Sequence, residues 1–335
     1  MQLTDLEKID TKNMHKIYDQ WPEIAEKSFL EDIKKFENKD VDHIVFCGMG
    51  GSGSIGDILT AILSTSELHV TNVKGYLLPK TVDDKTLVIC ISISGNTQET
   101  VKVLESAKKK SCRVLAFSSG GKIKEFSNNN NIPHYEISQI HSPRASLPSF
   151  LYCILNILQD FLPITKDGIF QSIENLKKTR EMISSKNLNS DNISLVLAEW
   201  IDNFPVIYYP NGLQSVAIRF KNSLQENSKL HVIAEDAIEA CHNGIVAWER
   251  KSNGQPILLQ GIDDYTKTKE RWEILKEYFI SQKIDFKEIH SVRGNILSKI
   301  INLIYILDYC SIFHAVLSKI DPSPVKSIDF VKERI

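Results

Sequence analysis

Short apolar runs recur along the chain, and each breaks into a turn and then into a segment with helical spacing. DHIVFCG at 42–48 is the first such run and TLVICISIS at 86–94 its echo. Both are rich in β-branched residues, too short for helices, and bounded by glycine, so they read as buried strands. A helix over 53–65, a strand over 69–76, a helix over 96–110 and a strand over 112–119 follow the same rhythm. A short helix after Gly120 and Gly121 leads to a last strand at 133–138. In the 96–110 helix, polar Gln98, Lys102, Glu105, Lys108 and Lys109 are set against apolar Val101, Val103, Leu104 and Ala107. Alternation of this kind predicts parallel strands joined by crossover helices, with ligands at the carboxyl ends of the strands.

The second half repeats the pattern after an apolar helix at 145–161 and a polar break, LPITKDG, at 162–168. Helices at 168–185 and 192–203, a strand at 205–209 and a helix at 213–228 come next. A strand at 230–234, a helix near 237–249, a strand at 256–260 and a helix at 265–283 continue it. A strand at 285–291, a long helix at 295–319 and a short helix near 325–334 complete the series. Residues 1–40 are charged with helical spacing and read as a cap. The expectation is an α/β chain of two doubly wound parallel-sheet domains flanked by helices, 1–160 and 165–335, since 335 residues are long for one core.

Composition adds mostly exclusions. A hydrophobic share of 42% and a charged share of 24% describe an ordinary globular protein. A net charge of −2 offers no bulk attraction for nucleic acid or an anionic membrane. Six cysteines without a CxxC pair, most in apolar patterns, point to a reduced, cytoplasmic protein. The N-terminus, charged from Asp5 onward, has no apolar core and does not read as a signal peptide. The most lipid-like run, 299–317, is interrupted by Asn302, Asp308 and His314 and reads as a buried helix, since a mid-bilayer Asp is costly.

The chemistry gathers in the two strand-end turns. GMGGSG at 48–53 and SISGNTQET at 92–100 would aim backbone N–H groups and a helix N-terminus at whatever sits above the sheet. The hydroxyls of Ser52, Ser92, Ser94 and Thr97, with the amide of Gly51, would complete a cup for one phosphate group. The first turn also satisfies GxGxxG, which raises a dinucleotide fold. That fold wants an acidic residue about twenty positions on, and HVTNVKGYLL supplies Lys74 and no carboxylate.

Those two turns, with SSGGK at 118–122 and SPRASL at 142–147, resemble the sugar isomerase (SIS) domain. Together with QENSK at 225–229, CHN at 241–243 and the tail DPSPVKSIDFVKERI at 321–335, they resemble in particular the archaeal-type bifunctional phosphoglucose/phosphomannose isomerases, over nearly the whole chain. The resemblance implies an aldose–ketose isomerase acting on a hexose 6-phosphate without metal or other cofactor. It implies Glu226 as catalytic base, His242 as ring-opening histidine, Lys332 as a C-terminal active-site lysine, and Arg144 beside the sugar's C1–C2 region. It also implies a homodimer, in which the histidine can come from the partner.

The reaction asks for these residue types. Ring opening needs an acid/base near neutrality, which imidazole supplies. Moving a proton between C2 and C1 through a cis-enediolate needs one carboxylate, and the developing charge calls for a fixed cation. Two other readings stay open on the residues: an isomerase of glucose 6-phosphate alone, and a non-catalytic sugar-phosphate sensor. The sensor has no need of a base, and no basic helix-turn-helix segment accompanies these domains.

Overall fold

The computed structural model describes residues 1–37 and 40–334; residues 38 and 39, within the span read as a cap, and residue 335 lie outside the described residues. By tertiary contact the chain forms two units, neither a single run of sequence. One comprises Gln20–Ile173 with Asn295–Leu297, and the other Met1–Asp19, Glu174–Gly294 and Ser298–Ile335.

The first unit is built on β1 (His43–Cys47), β2 (His69–Val73), β3 (Thr86–Ser92), β4 (Arg113–Ser118) and β5 (His134–Glu136). They form one parallel sheet in the order β2-β1-β3-β4-β5. β1 and β3 are buried at every residue, as a central strand covered on both faces must be, whereas β2 and β5 are partly exposed edges. Register pairs Cys47 with Cys90 and Ser92 with Ser118, so the turns after β1, β3 and β4 emerge along one edge. The helices Gly50–Leu63, Gln98–Lys108 and Gly121–Asn129 make the crossovers. On one face Val103, Leu104 and Ala107 pack against Val45, Val88 and Ala116. The helix Leu147–Ile157 is buried along its whole length and packs against Trp21–Leu30.

The second unit holds β6 (Phe204–Tyr209), β7 (Ile233–Asp236), β8 (Gly254–Gln260) and β9 (Lys287–His290), parallel in the order β7-β6-β8-β9. Tyr208, Leu258, Trp272, Leu275 and Phe279 fill one side of this sheet, and the Trp248 indole N–H donates to the Tyr208 hydroxyl at 2.8 Å. The helix Ile296–Leu317 is the one described helix long and apolar enough to cross a membrane, and 94% of its most apolar window is buried in the fold. Its polar residues are satisfied there. Asn302 donates to Thr179 at 2.7 Å, and Asp308 takes bonds from Arg219, Ser223 and Tyr18. The N-terminal helices Leu3–Ile9 and Met14–Asp19 dock on the same helix, where Tyr305 donates to the Tyr18 carbonyl at 2.6 Å and Tyr309 to that of His15 at 3.0 Å.

Several elements depart from their sequence reading, and the helix expected near 237–249 is a four-residue helix, Ala237–Ala240, followed by a 3₁₀ stretch, Gly244–Glu249. The 213–228 helix runs as an α-helix only over Gln214–Ser223 and then widens into a π-helical turn, Leu224–Ser228. The strand expected at 230–234 is Ile233–Asp236, because the chain needs those residues to come out of the π turn.

Candidate active site

The first unit gathers the hydroxyl-rich turns. The helix after β1 starts at Gly50, not at 53, so Gly51 and Ser52 lie in its first turn. The amides of Ser52 and Gly53 donate to the Met49 carbonyl at 3.0 and 3.2 Å. Those of Gly50 and Gly51 stand ahead of the intrahelical ladder, where a helix N-terminus offers its donors to an anion. The Ser52 hydroxyl accepts the Ile93 amide at 3.1 Å, which ties the turn after β1 to the turn after β3. In that second turn the buried Ser92 hydroxyl donates to Thr97 Oγ1 at 3.0 Å, so Thr97 keeps its own proton for a ligand. Ser94 is half-buried in the same turn, which closes through the Gly95 amide on the Ser92 carbonyl at 2.9 Å. Gly95 has φ +71, and a Cβ there would overlap the Gly120 carbonyl, so this turn needs glycine.

Arg144 approaches the same corner. A Cβ on Gly51 would stand 3.3 Å from the Pro143 carbonyl and 3.7 Å from Ile93 Cδ1, so Gly51 lies against the Arg144 loop and the second turn alike. Ser146 Oγ accepts the Ile140 amide at 2.8 Å and donates to the Ser142 carbonyl at 2.9 Å, while the Trp21 indole holds the Ala145 carbonyl at 3.1 Å. Arg144 itself is 5% exposed. Lys74, where a dinucleotide fold would carry its acid, pairs with Asp57 at 2.5 Å.

Glu226, His242 and Lys332 belong to the second unit. Glu226 is half-buried in the middle of the π turn, a rare local geometry found often at functional positions. Its flanks are anchored in the core. Asn227 donates to the Ser311 hydroxyl and Ser228 to the Ser311 carbonyl, both at 2.8 Å. Two helical turns earlier, Arg219 reaches Asp308 through Nη2 at 2.6 Å and Nε at 3.1 Å. Burial opposes the arginine's charge, but Asp308, Tyr18 and Glu226 outweigh it and push the guanidinium pKa up.

His242 is exposed and follows the short helix Ala237–Ala240, which Asp236 caps by accepting the Ile238 amide at 2.8 Å. Its own amide donates to the Glu239 carbonyl at 2.9 Å. Glu226 precedes β7 and His242 follows it. A crossover between parallel strands returns the chain to the amino edge of the sheet, so the two residues stand at opposite ends of β7, whose four residues rise about 13 Å. Lys332 is exposed at the end of the helix Lys326–Lys332. The approach to that helix lies beside the π turn, through Lys229. The fold thus groups Glu226 with the C-terminal segment and sets His242 of the same chain apart from them. The sequence reading gave Arg219, Asp308 and Lys229 no role, although Asp308 stood out inside an otherwise apolar helix and Lys229 ends the QENSK run.

Among the described residues no group of three or more His, Cys, Asp or Glu is arranged to hold a metal ion.

Residues 190–335 match a family model described as the bacterial phospho-glucose isomerase C-terminal SIS domain, and residues 39–136 one described as the SIS domain. The chain is 31% identical over 310 residues to a bifunctional phosphoglucose/phosphomannose isomerase of Caldicellulosiruptor bescii, covering 89% of this chain and 90% of that one. It is 30% identical over 322 residues to the enzyme of the same name from Aquifex aeolicus, covering 94% of each. A hypothetical protein from Thermus thermophilus shares the fold with a TM-score of 0.74 at 14% identity, over 98% of this chain and 92% of that one.

Proposed function

Because the chain belongs to the bifunctional phosphoglucose/phosphomannose isomerase family, we propose that it interconverts glucose 6-phosphate and mannose 6-phosphate with fructose 6-phosphate. In this reading the cup formed by Gly51, Ser52, Ser92, Ser94 and Thr97 holds the phosphate, which fixes the sugar without taking part in the chemistry. Glu226 moves the proton between C2 and C1 through a cis-enediolate. Arg144 stabilises the enediolate oxygens as charge develops there. His242 opens the ring by proton exchange between the ring oxygen and O1, with Lys332 steadying the same charge. The chemistry closes on these residues without a metal.

The observation that carries the reading is the tie from Ser52 to the Ile93 amide. It fuses two hydroxyl-bearing strand ends and a helix N-terminus into one anion-sized corner. The position of His242 at the far end of β7 from Glu226 supports a homodimer in which each copy lends its histidine to the other's site. The two aldose 6-phosphates differ from each other only at C2, so use of both needs room for rotation about C2–C3, and the 324–326 segment is our candidate border of that room.

The test is fructose 6-phosphate formation from each aldose phosphate separately, with EDTA present and the product identified by chromatography. Turnover of both is expected, and Glu226→Gln should lower kcat about 10³-fold while leaving phosphate competition intact. Wild-type-like turnover in Glu226→Gln would sink the assignment of the base. Binding of both sugars without turnover by the parent would leave a sensor.

A further inference from the structure

Lys229 has no part in the chemistry above, yet its backbone and side chain are both committed. It is a non-glycine residue in the left-handed region, with φ 58° and ψ 29°, a conformation lysine adopts at a cost and glycine freely. Its amide donates to the Leu224 carbonyl and closes the π turn. Its ammonium donates to the Glu226 carbonyl at 2.5 Å and to the Pro324 carbonyl at 2.8 Å. The Glu226 carbonyl belongs to a helix C-terminus, where cations are favoured. Pro324 opens the approach to the helix Lys326–Lys332.

That last helix has no buried residue, so its own packing does not position it. Side-chain contacts from elsewhere in the unit reach the segment before it. Thr11 donates to Asp321 at 2.6 Å, and Lys229 holds Pro324. We propose that Lys229 is a positioning residue: its ammonium straps the C-terminal segment to the turn that presents Glu226, so that the base and Lys332 are presented together. The left-handed position carries a lysine, whose flexible multi-donor cation reaches both carbonyls. This inference rests on the isomerase reading for its catalytic consequence, but the strap itself does not depend on it.

Lys229→Gly separates the two roles. Glycine suits the left-handed backbone, so the melting temperature should hold or rise. The strap is lost, and kcat should fall ten- to a hundredfold, about what a charge-assisted hydrogen bond contributes. KM for the sugar phosphate should move less than about threefold, since the phosphate cup is untouched. Lys229→Arg, which keeps a cationic donor, should recover most of kcat. Hydrogen–deuterium exchange on the sugar-free protein should show the 326–332 amides exchanging faster in Lys229→Gly, with the 214–223 helix unchanged. Equal exchange of 326–332 in parent and variant would overturn the strap whatever the activity. Unchanged kcat would overturn its catalytic consequence. A fall in melting temperature with faster exchange throughout would make Lys229 a mere cap and overturn the proposal as well. Failure of the parent to isomerise either sugar would instead count against the isomerase reading, with the exchange data still judging the strap.

Discussion

Asp308→Ala would strike the core beneath the π turn. Asp308 is fully buried, and its carboxylate accepts from Arg219 at 2.6 and 3.1 Å, from Ser223 at 2.6 Å and from Tyr18 at 3.0 Å. Arg219 is 2% exposed and would lose the carboxylate that meets it at 2.6 Å inside the core. Removing one partner of a buried ion pair costs about 3–5 kcal/mol. The Ser223 and Tyr18 hydroxyls each forfeit an acceptor, about 1 kcal/mol apiece, although water entering the vacated volume returns part of that. The expected loss is therefore about 4–6 kcal/mol, a large fraction of a typical stability of roughly 5–15 kcal/mol. The double variant Arg219→Met with Asp308→Leu deletes both charges and should come back to within about 2 kcal/mol of the parent, since well-packed apolar residues commonly replace a buried pair at little cost. Urea unfolding followed by tryptophan fluorescence, with both single variants completing the cycle, measures this. A single-variant loss below about 1.5 kcal/mol, or a double variant as unstable as the sum of its singles, would refute the reasoning.

Ser52→Ala leaves the buried Ile93 amide without its acceptor and loosens the joint between the two turns. A penalty of about 1–2 kcal/mol predicts that KM for glucose 6-phosphate and the inhibition constant of inorganic phosphate rise together, about five- to thirtyfold, with kcat little changed. Steady-state kinetics with phosphate as competitor would show it, and an unchanged phosphate constant would remove Ser52 from the cup. Burial lowers the pKa of His43, His134 and His314, in His43 with help from the neighbouring His69 charge and in His134 from Lys124. Below pH about 6.5 the unfolded chain then binds protons that the folded chain does not, so stability should fall as pH drops from about 7.5 to 5.5. The urea midpoint should track that fall, more shallowly in His314→Gln; a midpoint that stays level or climbs would contradict the sign.

The kinds and order of the elements were legible in the sequence, because strand and helix periods, glycine turns and amphipathic spacing are local properties. The hydroxyl-bearing turns were legible for the same reason: Ser52, Ser92, Ser94 and Thr97 are written into two short stretches. What depends on contacts between distant residues was not. A cup shared by the two turns requires β1 beside β3, as they lie, but sequence order is silent on Met1–Asp19 packing with the second sheet's unit and on the Asp in an apolar helix pairing with an arginine 89 residues away. The π turn under Glu226 follows from those same contacts, since Asn227 and Ser228 reach Ser311 and Lys229 must turn left-handed to leave the helix. Glu226 and His242 are sixteen positions apart in the chain, but β7 runs between them and puts them at opposite ends of a strand. A run of residues records which groups are near in the chain; only the assembled sheet decides which edge each one reaches.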